Sequence, residues 1–380
     1  MIYFDYASTT PIDPVVIKHL SSYFANFANT SSLHQFGQKA KKILEKNRKD
    51  VANFIKADPP EIVFTSSATE SNNTALKGIA FANKNKGNHI IISSIEHDCI
   101  LNSANWLKTQ GFKITKIPVD KFGWINPNDV KKAITKNTIL VSIMHANNEI
   151  GTIEPITEIG KICHKHNIYF HTDASQTFGK IPINVRKMNI DLLTASSHKI
   201  YGPKGIALLC IKKGTNITPL LHGGGHESNL RSSTVNLPLI SAFAKTIALR
   251  HSEHSEESQR LFQLRHHLIT NILKKIPNSY LNGHPKSVLP NIVSFRFDNV
   301  EGESILLKLD QLEIAVSTGS ACSSNNLKPS HVLLACGLKA PQTHGSIRVS
   351  FGRWTTKKEI NYLIKVLPKI IKHLRSLSPF

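Results

Sequence analysis

Residues 168–205 read IYFHTDASQTFGKIPINVRKMNIDLLTASSHKIYGPKG. Two short apolar runs, IYFHTD (168–173) and IDLLTAS (190–196), each end in polar residues, and the second passes into SHK and a Gly-Pro turn. Runs of this length without a polar face read as strands covered on both sides. The pattern repeats outward at EIVFT (61–65), HIIISS (89–94), FKITKIPV (112–119), TILVSIM (138–144) and GIALLCI (205–211). Helical spacing separates most of them. Ala40, Ile43, Leu44, Val51, Phe54 and Ile55 fall three or four apart within 35–56, and Ala75, Leu76, Ile79 and Ala80 repeat the spacing. Strands alternating with helices predict βαβ crossovers, hence a large α/β domain with a mainly parallel sheet.

Past the charged stretch HSEHSEESQR (251–260) the pattern changes to a helix, NIVSFRF (291–297), a helix from Glu303, and SIRVSF followed by a last helix. That stretch reads as a break, and the expected division is an N-terminal segment 1–14 packed with the small domain, a large domain 15–255 and a smaller α+β C-terminal domain 256–380.

Composition narrows the function classes. With 40% hydrophobic residues, 20 Gly and 18 Pro in 380, the chain is neither disordered nor collagen-like. A net charge of +21 favours anionic partners, yet no Cys/His finger, Gly-rich loop or aromatic motif of a nucleic-acid module appears, which argues against direct nucleic-acid binding. Five cysteines without a paired spacing argue against a disulfide framework and a zinc module, so the expectation is a cytoplasmic protein without bound metal. No apolar run approaches a membrane span, and the first residues, with Asp5 and Asp13 and no basic residue before Lys18, do not read as a signal peptide.

The polar residues at the strand ends carry the chemistry, because ligands of open α/β sheets bind there. Lys199 follows the strand IDLLTAS, and Asp173 with Gln176 follows IYFHTD. A lysine that forms a Schiff base and a carboxylate that keeps a ring nitrogen protonated are what pyridoxal phosphate requires. The turn Ser66-Ser67-Ala68-Thr69-Glu70 before a helix offers N–H groups to a phosphate. His97 and Asn148 also follow strands. Each has a plainer reading in isolation: an exposed loop lysine, a helix-capping Asp, a capping box, a structural His, an Asn turn. Arg348, alone, reads equally as a surface ion pair. Cys322 lies among Gly, Ser and Ala in STGSACSS, a polar setting suited to an exposed nucleophile, whereas Cys99, Cys163, Cys210 and Cys336 lie in apolar contexts and read as inert.

Taken in order, DYASTTP (5–11), SSLHQFG, TSSATESNN, SIEHDC, MHANNEIGTIEPI, HTDASQ, SSHKIYGPKG, HGGGHE, RSST, STGSACSS and SIRVSFGRW resemble the class V aminotransferase superfamily of pyridoxal-phosphate enzymes, and within it the NifS/IscS-type cysteine desulfurases. The resemblance covers nearly the whole chain and implies the PLP-dependent transferase fold of the aspartate aminotransferase type. It implies that Lys199 is the internal aldimine lysine, that Asp173 pairs with the pyridine nitrogen, that Gln176 contacts the ring hydroxyl and that His97 stacks on the ring and handles protons. Ala68, Thr69, Ser196 and His198 would hold the phosphate, with Thr234 reaching it from the other subunit of a homodimer. Asn148 and Arg348 would hold the carboxylate of the substrate L-cysteine, and Cys322 would take its sulfur as a persulfide, leaving alanine.

Departures from the family pattern fall at Ser67 and Ser233, where Gly is usual, and at Ser228, where Arg is usual; the two Gly-to-Ser changes would strain turns that need positive φ. The sequence ends at Phe380, short of the tail with which longer members dock an iron–sulfur scaffold protein, so a tRNA-thiolating enzyme stands as the alternative sulfur acceptor. A selenocysteine lyase or transaminase on the same fold, and a non-catalytic binding protein descended from the enzyme, are the competing readings; retention of Lys199 and Cys322 speaks against the last.

Overall fold

The computed structural model describes residues 1–25, 27–318 and 329–377. The N-terminal part runs β1 (Ile2–Tyr3), α1 (Pro14–Tyr23), α2 (Gln35–Ile55), β2 (Ile62–Thr65), α3 (Ala68–Ala82), β3 (His89–Ser93), α4 (Asp98–Thr109), β4 (Lys113–Ile117), α5 (Pro127–Ala133) and β5 (Thr138–Ser142). It continues through α6 (Ile156–Lys165), β6 (Tyr169–Asp173), β7 (Leu192–Ser196), β8 (Ala207–Ile211) and α7 (Leu237–Lys275). The C-terminal part holds β9 (Ser279–Asn282), β10 (Ile292–Phe297), α8 (Gly302–Asp310), β11 (Ile314–Ala315), α9 (His331–Ala335), α10 (Ala340–His344), β12 (Ser346–Ser350) and α11 (Lys357–Leu377).

Seven strands form one sheet in the order β2-β8-β7-β6-β5-β3-β4. β8 runs antiparallel to both of its neighbours, and the other pairings are parallel. Every residue of β3, β5, β7 and β8 is buried, as their continuous apolar sequences require of strands covered on both faces. The alternation of side chains sorts them. Ile91, Val141 and Leu193 enter a core with α2, α6 and α7, whereas Ile90, Ile92, Leu140 and Leu192 enter the opposite core with α3 and α4.

A second sheet, β12-β10-β9, is antiparallel. Its apolar face packs with α8, α11 and the C-terminal half of α7 around Phe295, Ile347 and Leu363, and Phe4 from the N-terminal segment joins this core. The strands expected from sequence are all present, trimmed by one or two residues at their ends. The stretch 251–260 is a different matter: it lies inside the 39-residue helix α7 and does not interrupt it. Charged residues break a chain only where nothing else organises it, and here they lie in a helix whose apolar residues pack against the large core before them and the small core after them.

Candidate active site

The strand ends converge as the alternation predicts. Asp173 closes β6, and its Thr194 partner in β7 places Ser196 and the turn Ser197–Lys199 beside it. Asp173 is buried; its Oδ2 accepts from Asn72 Nδ2 at 2.6 Å and its Oδ1 from the Ser175 N–H at 2.8 Å. Among the described residues no Lys or Arg pairs with it. A buried carboxylate without a cation is costly, so the place suits a cationic partner.

The turn after β7 is built for close approach. A Cβ at Gly202 would collide with Ser197 Oγ, and Gly205 stands at φ +83°, so both positions favour glycine. Lys199 Nζ donates to the carbonyls of Ala7 and Ser8 at 2.7 and 2.6 Å, which brings the N-terminal segment into the site. Gln176 Nε2 donates to the same Ala7 carbonyl at 2.9 Å. His198 Nδ1 lies 3.1 Å from Thr9 Oγ1, and burial, with Lys199 next, depresses its pKa to about 4, so the ring is neutral at pH 7.

Ser67 caps α3, its Oγ accepting the Glu70 N–H at 3.1 Å, and Ala68 and Thr69 form the first turn. Ser67 is extended at φ −160°, and Ser233 is absent from the positive-φ positions, so neither needs glycine and the strain expected at these two departures does not arise. Ser228 does adopt φ 56°, between Glu227 and Asn229, which are also left-handed. Glu70 is held by Ser66 and by Arg231 Nε at 2.7 Å, and Glu227 is held by Arg48 at 2.8 Å.

His97 caps α4, where its Nδ1 accepts the Cys99 N–H at 3.2 Å, leaving the proton on Nε2. Cys99 Sγ lies 3.1 Å from that Nδ1 and 3.2 Å from Asn72 Nδ2. Cys99 is half-buried: it packs against the apolar core between α3 and α4, with its Sγ also beside His97. Cys163, Cys210 and Cys336 are buried, and burial pushes the Cys163 and Cys336 thiols up to about 12 and that of Cys210 higher, as expected of inert residues.

Arg348, on β12, reaches the same place from the small sheet. Its Nη1 donates to the Asn148 carbonyl at 2.9 Å, and its Nη2 donates to Asp5 Oδ1 at 2.8 Å and Ser8 Oγ at 2.6 Å. The buried Nε has no hydrogen-bond partner among the described residues. Thr234 is exposed and lines a cavity with Ser66, Glu227 and Arg231, its carbonyl accepting from Ser233 Oγ at 3.3 Å. Cys322 lies outside the described residues.

Beyond the expected residues, the structure adds Asn72, Asp5, Ala7, Ser8, Lys180 and Glu149 to the site's surroundings. Glu149 is buried, accepts from Ser330 Oγ at 2.6 Å, and is pushed up to about 7 chiefly by burial. No single motif residue announces these contacts, since backbone carbonyls and second neighbours have no signature of their own.

An α/β fold with a lysine and a buried carboxylate at neighbouring strand ends matches known proteins closely. The family model described as aminotransferase class-V matches residues 2–363. The chain belongs to the class V aminotransferase family. A curated relative named cysteine desulfurase IscS, from Dictyoglomus turgidum, is 50% identical over 380 residues, 100% of this chain and 96% of the relative. Among solved structures, one titled NifS-like protein superposes with a TM-score of 0.92 at 35% identity, covering 98% of this chain and 100% of the other. Another, titled SspA in complex with cysteine, gives 0.83 at 36% identity over 94% of this chain and 100% of the other. The fold is that of these pyridoxal-phosphate enzymes.

Proposed function

We infer that this protein is a pyridoxal-phosphate-dependent cysteine desulfurase that converts L-cysteine to L-alanine and keeps the sulfur on Cys322. The observation that carries the cofactor assignment is the buried Asp173 at the end of β6, without a cationic partner among the described residues, with Lys199 in the turn after the neighbouring β7. Lys199 would bear the cofactor, Asp173 its ring nitrogen, Gln176 its ring hydroxyl, His97 the ring face, and Ala68, Thr69, Ser196 and neutral His198 the phosphate. Bound there, pyridoxal phosphate supplies an electron sink for the bond changes at the substrate Cα and Cβ.

The protein's own residues do the rest. Arg348, with its unfilled Nε, and Asn148 orient the substrate carboxylate. Lys199 takes the Cα proton and returns one. His97 presents its Nε2–H to the substrate sulfur as a hydrogen-bond donor, which favours the thiolate form. The Cys322 thiolate attacks the substrate sulfur; the S–S bond forms as the Cβ–S bond breaks, and protonation of the remaining fragment gives alanine.

A homodimer belongs to the same proposal. Phe24, Phe27, Leu33 and Phe36, around the α1–α2 connection, are 68, 86, 90 and 61% exposed, an apolar surface that a second copy would cover, and Thr234 is free to reach a neighbouring phosphate site. The domain division at 14 and 255, a cytoplasmic location, and transfer of the sulfur to an iron–sulfur scaffold or a tRNA-thiolating enzyme complete it. Among the described residues no helix is long and apolar enough to cross a membrane.

The test is alanine formation from L-cysteine by the holoenzyme and by its Lys199→Ala and Cys322→Ser variants. Turnover by the wild type, lost in both variants, is the expected result. Amino-group transfer to a keto acid that survives Cys322→Ser would instead establish a transaminase.

A further inference from the structure

Lys180 lies four residues beyond Gln176, and its Nζ donates to Gln176 Oε1 at 3.3 Å. The Ala7 carbonyl fixes the sense of the amide: it can only accept, so the NH2 faces Ala7 and the oxygen faces Lys180. Lys199 donates to that same carbonyl. One amide and one carbonyl therefore connect two amines.

The partly buried Lys180 is held in place from both sides of its own backbone. Its N–H donates to the Thr177 carbonyl at 2.9 Å, and its carbonyl accepts from Ser258 Oγ at 3.2 Å. Among the described residues no carboxylate comes within ion-pair distance of its ammonium. The charged groups that face it are Lys199, Arg250 and Arg348, of its own sign, and Glu257. Glu257 is already engaged by Arg250 Nη1 at 2.5 Å, the Tyr201 hydroxyl at 3.0 Å and Arg353 Nε at 3.6 Å. Burial first, and Lys199 next, bring the Lys180 ammonium down to about 7.

Two amines joined through one carbonyl and one amide carry charges of the same sign, each making the other harder to hold. Lys199 must shed its proton to attack the cofactor and again to take the substrate proton. We propose that Lys180 is a positioning residue for Lys199 and Gln176: its hydrogen bond turns the Gln176 NH2 toward the reacting side, and its charge favours the unprotonated state of the Lys199 nitrogen. The proposal rests on the assignment of Lys199 as the cofactor-bearing lysine.

The experiment is an absorbance titration of the holoenzyme against pH, following the cofactor band that reports protonation of the Lys199-linked nitrogen. Three variants separate hydrogen bond from charge: Lys180→Met removes both, Lys180→Gln keeps a donor without charge, and Lys180→Arg keeps both. The midpoint should rise by about half a pH unit or more, roughly a threefold change in the unprotonated fraction, in the Met and Gln variants and stay near the wild-type value in Arg. Should Lys180→Met fail to fold, Lys180→Gln carries the same test. Midpoints equal in wild type, Gln and Arg overturn the role given to the charge of Lys180. Borohydride reduction of wild-type holoenzyme followed by peptide mass spectrometry checks the underlying assignment separately: a pyridoxyl group on any lysine but Lys199 overturns that assignment, whatever the titration gives.

Discussion

The Arg348 guanidinium, at the place assigned to the substrate carboxylate, already holds a carboxylate: Asp5 Oδ1 lies 2.8 Å from its Nη2. Asp5 arrives with the N-terminal segment, which also presents the Ala7 and Ser8 carbonyls to Lys199. One short segment thus touches both Lys199, at the end of the large sheet, and Arg348, on the small sheet.

A substrate carboxylate must share or displace Asp5. Asp5→Asn keeps the shape and removes the competing charge, so KM for L-cysteine should fall about fivefold, equivalent to roughly 1 kcal/mol, with kcat little changed. Steady-state alanine production measures it. A higher KM would mean that Asp5 holds Arg348 in its working orientation.

Arg348→Ala removes the charge-assisted bonds to the substrate together with those to Asp5, Ser8 and Asn148. A loss of about 1.5–3 kcal/mol per such bond to a charged group predicts that KM rises ten- to a hundredfold. An unchanged KM would place the substrate carboxylate elsewhere.

Removing the Asp173 charge has a different signature. Asp173→Asn keeps a hydrogen-bonding group near Asn72 and the Ser175 N–H but no longer holds a ring nitrogen in its protonated state. The expected loss of kcat is about a hundred- to a thousandfold, with cofactor still retained by the phosphate contacts, as measured by activity and by cofactor absorbance on the same sample.

Glu149 makes stability depend on pH. Its carboxyl is pushed up to about 7 in the folded state by burial, against an ordinary value near 4.5, so between those pH values the folded protein binds more protons than the unfolded chain. Its contribution is unfavourable to folding once the pH rises above the ordinary value, and the full cost, about 2–4 kcal/mol, is reached above pH 7. Glu149→Gln should therefore gain stability relative to wild type on going from pH 5 to pH 8, as urea unfolding at the two pH values reads out. A difference independent of pH would contradict the assignment.

Gly202 and Ser197 should behave as a coupled pair. An alanine at 202 places its Cβ on Ser197 Oγ, a buried hydroxyl with no partner among the described residues, and the expected cost is about 1–3 kcal/mol. Ser197→Ala removes the obstructing atom, so the double variant should recover at least half of that loss in a thermodynamic cycle.

The strands of the large sheet were legible because each is a short apolar run buried on both faces, and the strand-end residues Asp173, Lys199 and His97 followed from their position. What composition could not convey was the role of segment 251–260. Its charges suggest a break, while helix α7 carries it between two cores whose apolar partners lie far off in the chain. The same reason hid Asp5 and Lys180. Asp5 meets Arg348 from 343 residues away, and Lys180 matters through an amide that itself meets a backbone carbonyl 169 residues away.

The central claim is that sulfur leaves L-cysteine for one particular thiol. Peptide mass spectrometry of the holoenzyme after a single turnover with L-cysteine, with alanine assayed in the same sample, tests it most directly. The account predicts one additional sulfur atom on the Cys322 peptide for each alanine released. Alanine accompanied by an unmodified Cys322, or by sulfur on the Cys99 peptide, would contradict it.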